Sequence, residues 1–385
     1  MKTVIATISF LLYFAFNTSS ILLFDDISQS SKQDSSVTIT ISVVGDLMCH
    51  SPQFEYAKVG SDSFDFEPVY RNVRQYLESS DFTFGNLETV TAGRENGGYT
   101  GYPFFNSPSS YITALKKIGF DLLVTANNHA LDRSEKGIRK TITEISSRNI
   151  NYTGTFTSQL DRDSIRIFDI KGIKFSLLAY SYGTNGNPIP KGKNYLINLI
   201  DFGLIEKDIQ NARKLGSELV LVNFHFGEEY RREPVQYQKE VVNKTIELGA
   251  DIIIGGHPHV LQPVNFYKTK NKNLDSGFVA YSMGNFFSNQ RKRYTDAGMI
   301  LNLSIKKDFI NNKYEILKVN YLPTWVFKGG TTNGNEFVLL PSIQYKDTTL
   351  NLSITETEQM NRAFNDTRYI INKYTNNSKL RELKD

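Results

Sequence analysis

Residues 37–50 read VTITISVVGDLMCH, a β-branched and apolar run that ends in glycine, aspartate and histidine. The first eight of these residues predict a buried strand, because β-branched side chains pack well on a pleated surface. Four later stretches repeat the arrangement, with an apolar run followed at once by residues that bind metals or transfer protons. They are FTFGNLE at 82–88, LLVTANNHALD at 122–132, VLVNFHFGEEY at 220–230 and IIIGGHPH at 252–259.

Short apolar runs alternate with amphipathic stretches along most of the chain, which predicts an α/β fold with a largely parallel sheet. The predicted strands are Val37–Val44, Asp81–Phe84, Asp121–Thr125, Lys174–Ala179, Leu219–Asn223, Asp251–Ile254 and Phe278–Tyr281. The predicted helices are Pro68–Leu77, Ser109–Ile118, Ser134–Ser147, Phe202–Leu215 and Val235–Leu248. Met299–Ile305 and Tyr314–Tyr321 then predict an antiparallel hairpin with its turn at Asp308–Lys313, and Thr355–Tyr374 predicts a terminal helix.

The composition excludes several classes of protein. The chain has 385 residues, of which 40% are hydrophobic and 12% aromatic, so it is neither collagen-like nor intrinsically disordered. Its net charge of +4 is too small to indicate a nucleic-acid partner. The single cysteine, Cys49, excludes an internal disulfide and a Cys-x-x-Cys metal site.

The first residues have the pattern of an export signal. Lys2 precedes an apolar run from Val4 to Phe16, and apolar residues resume at 21–24, so residues 1–24 predict a signal peptide or a membrane anchor. Residues 25–36 predict a linker, 37–305 the main domain, and 306–385 a C-terminal strand extension with the terminal helix. We therefore expect an exported protein, periplasmic, at the cell surface or membrane-anchored, with its domain outside the cytoplasm.

All of the histidines follow predicted strands, in company with carboxylates and amides. In an α/β sheet the carboxyl ends of parallel strands converge on one edge, so we expect these side chains to meet. Imidazole and carboxylate groups together are typical ligands of first-row metals, which predicts one or two divalent ions, Mn, Fe or Zn. In an extended segment His257 and His259 would point the same way, toward one metal cluster. The histidines are His50, His129, His225, His257 and His259, and their neighbours include Asp46, Glu88, Asn128 and Asp132.

Six ordered motifs resemble the CapA family of capsule and poly-γ-glutamate biosynthesis, in the calcineurin-like metallophosphatase superfamily. The resemblance spans about residues 37–303 and implies a four-layer α/β sandwich of two mixed β-sheets flanked by helices, with the metal site on one edge. The motifs are GDLM at 45–48, NLE at 86–88, NNH at 127–129 with Asp132, HFGEEY at 225–230, GHPHVLQ at 256–262 and YSMGNF at 281–286.

The resemblance also implies roles for single residues. Asp46 and His259 match ligands of one metal ion, His225 and His257 match ligands of the second, and Asn128 matches an asparagine ligand. His129 matches the histidine that helps the leaving group depart. Two positions depart from the pattern: Met48 stands in place of a histidine ligand and Asn86 in place of a bridging aspartate. His50 and Glu88, from the same loops, can supply the missing ligands; the alternatives are a capped turn and a surface carboxylate.

Two functions follow as hypotheses. The first is hydrolysis of a phosphoester or related substrate: a divalent ion lowers the pKa of water to give a hydroxide nucleophile, and His129, oriented by Asp132, acts as general acid. The second is a non-catalytic, anchored protein that binds or hands on an anionic polymer, with membrane-bound synthesis machinery as partner. The basic segments at 231–232 and 291–293 would hold the polymer. The predicted substrate-binding residues are Glu229, Tyr230, Arg231, Gln262 and Asn285.

Overall fold

The computed structural model describes residues 35–384 apart from residues 344, 346 and 376. The predicted signal or anchor and nearly all of the predicted linker lie outside the described residues. From Ser36 onward the described chain forms one compact unit. Among the described residues, the helices all lack the length and hydropathy needed to cross a bilayer.

The secondary structure follows the predicted alternation in its first two thirds. The strands are β1 Ser36–Leu47, β2 Phe82–Leu87, β3 Leu122–Val124, β4 Asn151–Thr153, β5 Ile167–Ile170, β6 Ile173–Ser181, β7 Leu219–His225, β8 Ile252–Gly256, β9 Val264–Tyr267, β10 Gly277–Ala280, β11 Asn285–Phe287, β12 Ala297–Asp308, β13 Lys313–Thr331, β14 Gly334–Pro341 and β15 Leu380–Glu382. The α-helices are α1 Ser51–Tyr56, α2 Arg74–Glu78, α3 Ser110–Lys117, α4 Ser134–Ser146, α5 Gln159–Asp163, α6 Phe202–Lys214, α7 Gln236–Leu248 and α8 Ile354–Ile371.

The strands form two mixed sheets. The first has the order β14-β13-β12-β1-β2-β3-β4, with β11 beside the end of β1 and β15 beside β13. In it, β1 runs parallel to β2 and antiparallel to β12. The second has the order β5-β6-β7-β8-β10-β9, in which β6, β7, β8 and β10 are parallel and the two edge strands are antiparallel.

The two sheets share one apolar core between their inner faces. Along β1, Ile39 and Ile41 belong to this core, whereas Val44 points to the other side, toward helices α1–α4. Along β7, Leu221 faces the shared core and Val222 faces α6 and α7. Because side chains alternate along a strand, each sheet buries both of its faces. The layers are therefore helices, sheet, sheet and helices, which confirms the predicted fold class.

One predicted helix is wrong, and several strands were not predicted. Pro68–Leu77 is not continuous: a 3-10 turn spans Glu67–Tyr70, and α2 starts only at Arg74. Between them Arg71 Nε and Asn72 Nδ2 both donate to the carboxylate of Asp347, at 2.7 and 2.8 Å, which favours a break over a continued helix. The predicted hairpin and terminal helix are present, but both hairpin strands are longer, and β14 extends their sheet by a further strand.

Candidate metal centre

The predicted site residues lie at the carboxyl ends of strands from both sheets. Asp46 lies near the end of β1, Asn86 is in β2, and Glu88 follows β2 directly; all belong to the first sheet. His225 ends β7, and His257 follows β8, in the second sheet. The site residues therefore come from both sheets of the sandwich and not from a single parallel sheet. The segments converge nonetheless, because the ends of the two stacked sheets meet along one edge of the sandwich.

Asp46 is positioned where the strand that pairs with β1 changes. β12 pairs with β1 from Ser36 to Val44, and β11 takes over at Asp46 in a parallel register that is irregular at this point. The backbone N–H of Asp46 donates to the carbonyl of Gly284 at 2.8 Å. A Cβ at Gly45 would lie 1.9 Å from that same carbonyl oxygen, so only glycine fits before the aspartate.

The loop after β8 has an unusual backbone conformation, which brings the imidazoles of His257 and His259 to the site. His257 has a φ of 95° and His259 a φ of 58°, both in the left-handed region that favours glycine. The predicted extended segment with alternating side chains is therefore wrong, although both rings reach the site, with centroids 5.9 Å apart. The N–H of His257 donates to Asp46 at 3.2 Å, and a Cβ at Gly256 would lie 2.6 Å from that carboxylate. Strained backbone of this kind is typical of functional sites.

Three overlapping groups of side chains could each hold a cation, with their ligand atoms within 4.8 Å of one another. Glu88 belongs to two of them, and its Oε1 lies 3.4 Å from His225 Nε2 and 3.9 Å from His259 Nε2. Glu88 is fully buried, so the alternative of a surface carboxylate is wrong. The groups are Asp46 with Glu88 and His259, Glu88 with His225 and His257, and Glu229 with His257 and His259.

The electrostatics of this cluster are those of a cation site. Burial, and then the neighbouring Asp46, raise the pKa of Glu88 well above its usual range. Burial also lowers the pKa of His225 to about 3 and that of His257 to about 2, which keeps both rings neutral. Burial alone would lower the pKa of His259, but Glu88 and Asp46 outweigh it and raise the pKa to about 9.

Several polar atoms of the cluster have no hydrogen-bond partner among the described residues. They include both carboxylate oxygens of Glu88 and Nδ1 of His257. Buried polar atoms without partners are costly, and native proteins leave few of them. A divalent cation satisfies carboxylate oxygens and neutral imidazole nitrogens together, so the residues present fit the metal that the sequence predicts.

His129 and Asp132 form a pair beside the cluster. His129 Nδ1 lies 2.8 Å from Asp132 Oδ2, which also accepts the N–H of Phe105 at 2.7 Å. The imidazole packs edge-on against the Phe105 ring, with centroids 4.7 Å apart. His129 is absent from the three candidate metal groups. Its Nδ1 is thus fixed by the carboxylate, and its Nε2 is directed toward Asn185, 3.5 Å away.

The amides of the predicted ligand set make hydrogen bonds within the cluster. Asn128 Oδ1 lies 2.9 Å from His225 Nε2. Asn86 Nδ2 donates to Asp46 at 2.8 Å and lies 3.1 Å from His225 Nδ1, while Asn127 donates to Asn86 Oδ1 at 3.1 Å. Asn86 therefore orients the carboxylate of Asp46 and the His225 ring.

His50 lies at the start of α1, outside the three candidate metal groups. It is the N-cap residue of that helix, and its Nδ1 lies 3.0 Å from Gln53 Oε1. Burial lowers the pKa of His50 to about 4. This placement is the capped turn that the sequence left open as the alternative to a metal ligand.

The predicted substrate-binding residues differ in their surroundings. Glu229 is exposed and joins His257 and His259 in one metal group, and Tyr230 places its half-exposed ring 6.3 Å from that of His259. Asn285 Oδ1 lies 3.1 Å from His259 Nδ1. Gln262 is buried and donates to the backbone carbonyls of Arg231 and Glu233. Arg231 is exposed and pairs with Glu228 at 3.1 Å.

Sequence reasoning missed Tyr182, Asn185 and Tyr102. The ring of Tyr182 lies 4.6 Å from that of His257, and Tyr102 lies 6.4 Å from His129. Tyr182 and Asn185 follow the carboxyl end of β6, so the strand-end rule that found the other residues would have found them. Tyr102 lies in the long loop between β2 and α3, and no sequence pattern identifies it.

Comparison with known proteins agrees with the motifs. The profile of the family described as "Bacterial capsule synthesis protein PGA_cap" matches residues 40–290. The capsule biosynthesis protein CapA of Bacillus anthracis is 29% identical over 258 residues, which are 66% of this chain and 60% of that protein. The PGA biosynthesis protein CapA of Bacillus subtilis is 25% identical over 279 residues, covering 70% of this chain and 68% of that protein.

Among solved structures, the calcineurin-like phosphoesterase YfkN of Bacillus subtilis is 12% identical, with a TM-score of 0.40, covering 87% of this chain and 99% of that one. The match to the sequence profile extends over well more than half of the chain and includes every motif quoted above. The protein belongs to the bacterial capsule synthesis protein PGA_cap family.

Proposed function

We propose that this protein is a metal-dependent hydrolase of the phosphoesterase type that acts outside the cytoplasm in the biosynthesis of a capsule or related envelope polymer. The observation that carries the proposal is the buried cluster around Glu88, whose carboxylate has no hydrogen-bond partner among the described residues. A buried carboxylate within reach of two imidazoles is costly without a cation and well satisfied with one. Family membership supports the biological setting.

The proposed ligands come from both sheets. Glu88 belongs to two of the candidate groups, so it would hold a metal ion in either of them and would supply the negative charge that Asn86 lacks. Asp46 and His259 join Glu88 in one of these groups, and His225 and His257 join it in the other. Bound there, divalent ions would lower the pKa of water and polarise a phosphoryl or carbonyl oxygen.

His129 supplies the proton in this proposal. Asp132 holds Nδ1 at 2.8 Å, so the other ring nitrogen is the one free to protonate a departing oxygen. Phe105 fixes the ring from the side and Tyr102 partly covers it. Tyr182 and Tyr230 flank the imidazoles and are about half exposed, which supports a role for both in contacting the substrate.

The non-catalytic hypothesis receives less support. The basic segments that it assigned to an anionic polymer already have partners: Arg293 forms a two-fold ion pair with Asp366, and Arg232 donates to the backbone carbonyl of the same residue. Arg291 donates to the carbonyl of Val326 at 2.7 Å. These guanidinium groups stabilise the fold around α8.

Metal content tests the catalytic proposal directly. Purified full-length protein should contain Mn, Fe or Zn by elemental analysis, or regain one of them on addition, and should hydrolyse members of a phosphoester panel. His257→Ala and Glu88→Gln should lose metal while keeping a cooperative thermal transition. His50→Asn, which keeps an N-cap acceptor, is the matched control and should retain metal. A wild-type protein that neither holds nor regains metal would leave only a binding role.

The location is tested separately. Residues 1–36 contain the basic start and the apolar run of an export signal. A reporter fused behind these residues should be exported, and a reporter that stays in the cytoplasm would end this part of the proposal without touching the chemistry.

A further inference from the structure

The turn between β12 and β13 exposes two large apolar side chains. Ile310 is 77% and Phe309 36% exposed at the tip of this hairpin. The turn is well defined, because the carboxylate of Asp308 accepts the N–H groups of Ile310 and Asn311 at 2.8 and 3.1 Å. A structured turn that holds apolar side chains in water is a feature of surfaces that contact another phase or partner.

Lysines surround this tip. Lys306 and Lys313 flank the turn, and the neighbouring loop carries the alternating lysines of KTKNK at 268–272. The loop and the hairpin are joined, since the N–H of Tyr314 donates to the carbonyl of Asn273 at 2.7 Å and Lys313 Nζ donates to that of Lys272 at 2.8 Å. Within the described part of the chain, no carboxylate lies in ion-pair range of the group that we call the basic hairpin end: Lys268, Lys270, Lys272, Lys306 and Lys313, together with Phe309 and Ile310.

The amino-terminal part of the chain joins the domain at the same end. Ser36, the first residue of β1, pairs with Asp308, immediately before the exposed tip. The preceding residues include the apolar stretches 4–16 and 21–24, which the sequence predicts to be a signal or a membrane anchor. If those stretches form an anchor, the chain enters the domain beside the basic hairpin end.

We propose that the basic hairpin end docks on an anionic lipid bilayer, with Phe309 and Ile310 entering the interfacial region and the lysines contacting lipid phosphates. Apolar side chains surrounded by lysines are the combination that binds such interfaces, since burial of apolar area adds to attraction by the surface charge. Asp46 lies ten residues along β1 from Ser36, so docking holds the metal centre about 33 Å from this end, given a rise of about 3.3 Å per residue.

A tryptophan placed at the tip would report this docking. Ile310→Trp in the full-length protein should show a blue-shifted emission and should be quenched by brominated acyl chains in vesicles of phosphatidylcholine with phosphatidylglycerol. The native Trp325 is 1% exposed, so the wild-type protein gives the background. Ile354→Trp is the matched control. That isoleucine is 81% exposed and is the first residue of α8. The start of α8 lies near Gly329, at the end of β13 that is remote from the hairpin tip.

The two probes separate docking from simple tethering. If residues 1–24 anchor the protein, both variants associate with vesicles, but only Ile310→Trp should be quenched. Quenching should fall in vesicles of phosphatidylcholine alone, because the lysines then lose their partners. Equal quenching of the two variants, or none at Ile310→Trp, would overturn the proposal. A concentration-dependent blue shift without lipid would also overturn it and would assign the tip to a second copy of the chain.

Discussion

At the scale of single residues, Asp46 and three imidazoles from the two sheets meet at the buried carboxylate of Glu88. Asp46, Glu88, His225, His257 and His259 were all predicted, since residue type and position after a strand are visible in the sequence. The left-handed backbone of the two β8-loop histidines was not, because only the close approach of Asp46 to the loop requires it. The capped position of His50 likewise depends on a contact with Gln53, which residue type does not reveal.

Substitution of His129 tests whether this residue acts in catalysis or in metal binding. His129→Ala should lower turnover by about 100- to 10,000-fold, the usual contribution of general acid–base catalysis, because Asp132 holds Nδ1 and leaves Nε2 to protonate the leaving oxygen. Metal content, measured by elemental analysis, should stay near that of wild type. The loss should shrink for nitrophenyl esters, whose leaving group needs no proton.

The controls for this prediction lie in the same pair and in the cluster. Asp132→Asn should give a smaller loss of turnover with metal retained, since it disturbs only the orientation of the imidazole. His225→Ala should instead lose metal and activity together on every substrate. A His129→Ala protein without metal would make that residue a ligand and would refute the assignment.

At the scale of elements, the apolar runs of β1, β6, β7, β8 and β10 were predicted, whereas β4, β5, β9, β11, β14 and β15 were not. β4, β11 and β15 each have three residues, too few for periodicity to be read. β11 is nonetheless the strand that takes over from β12 beside Asp46, and thus shapes the site. The predicted helix at 68–77 failed for a tertiary reason, since Asp347, distant in sequence, binds the two residues at the break.

Because β11 replaces β12 as the partner of β1 next to Gly45, we expect a substitution of this glycine to destabilise the fold strongly. Gly45→Ala would place a Cβ 1.9 Å from the Gly284 carbonyl oxygen and 2.8 Å from that of Met283, both of them backbone atoms. We expect a loss of about 3 kcal/mol in the free energy of unfolding, at the upper end of overpacking effects, together with weaker metal binding. Denaturant unfolding with parallel metal analysis measures both.

The matched control is another glycine with open surroundings. A Cβ at Gly183 would meet no atom within 4 Å, so Gly183→Ala should leave stability nearly unchanged. If the two alanine variants unfold at the same denaturant concentration, the close approach of the Gly284 backbone does not constrain β1 as we describe.

At the scale of the whole molecule, the fold extends beyond the part of the chain that the family profile matches. The match ends at residue 290, yet β12 begins at Ala297 and pairs with β1 along nine residues, from Ser36 to Val44. Alternation of apolar runs and amphipathic stretches predicted an α/β fold, and the family resemblance implied the four-layer sandwich of two sheets. The way in which the last third of the chain completes the first sheet could not be predicted, since β13 and β14 lack motifs and their register depends on long-range pairing.

A chain that ends after residue 290 should therefore fail to fold. It would leave the backbone of β1 unpaired on one side and remove Ile300, Leu301 and Leu303 from the two cores that β1 shares. Exposed strand edges of this kind promote aggregation, so we expect insoluble protein or rapid amide exchange throughout β1. A chain that ends after residue 353 keeps β1–β14 and loses α8 and β15, which removes Phe364 and uncovers the apolar cluster around Trp325. It should stay folded with a lower melting temperature. Cooperative unfolding and protected β1 amides in the chain that ends after residue 290 would contradict this prediction. They would show that the family-matched region folds without β12, the strand that pairs with β1.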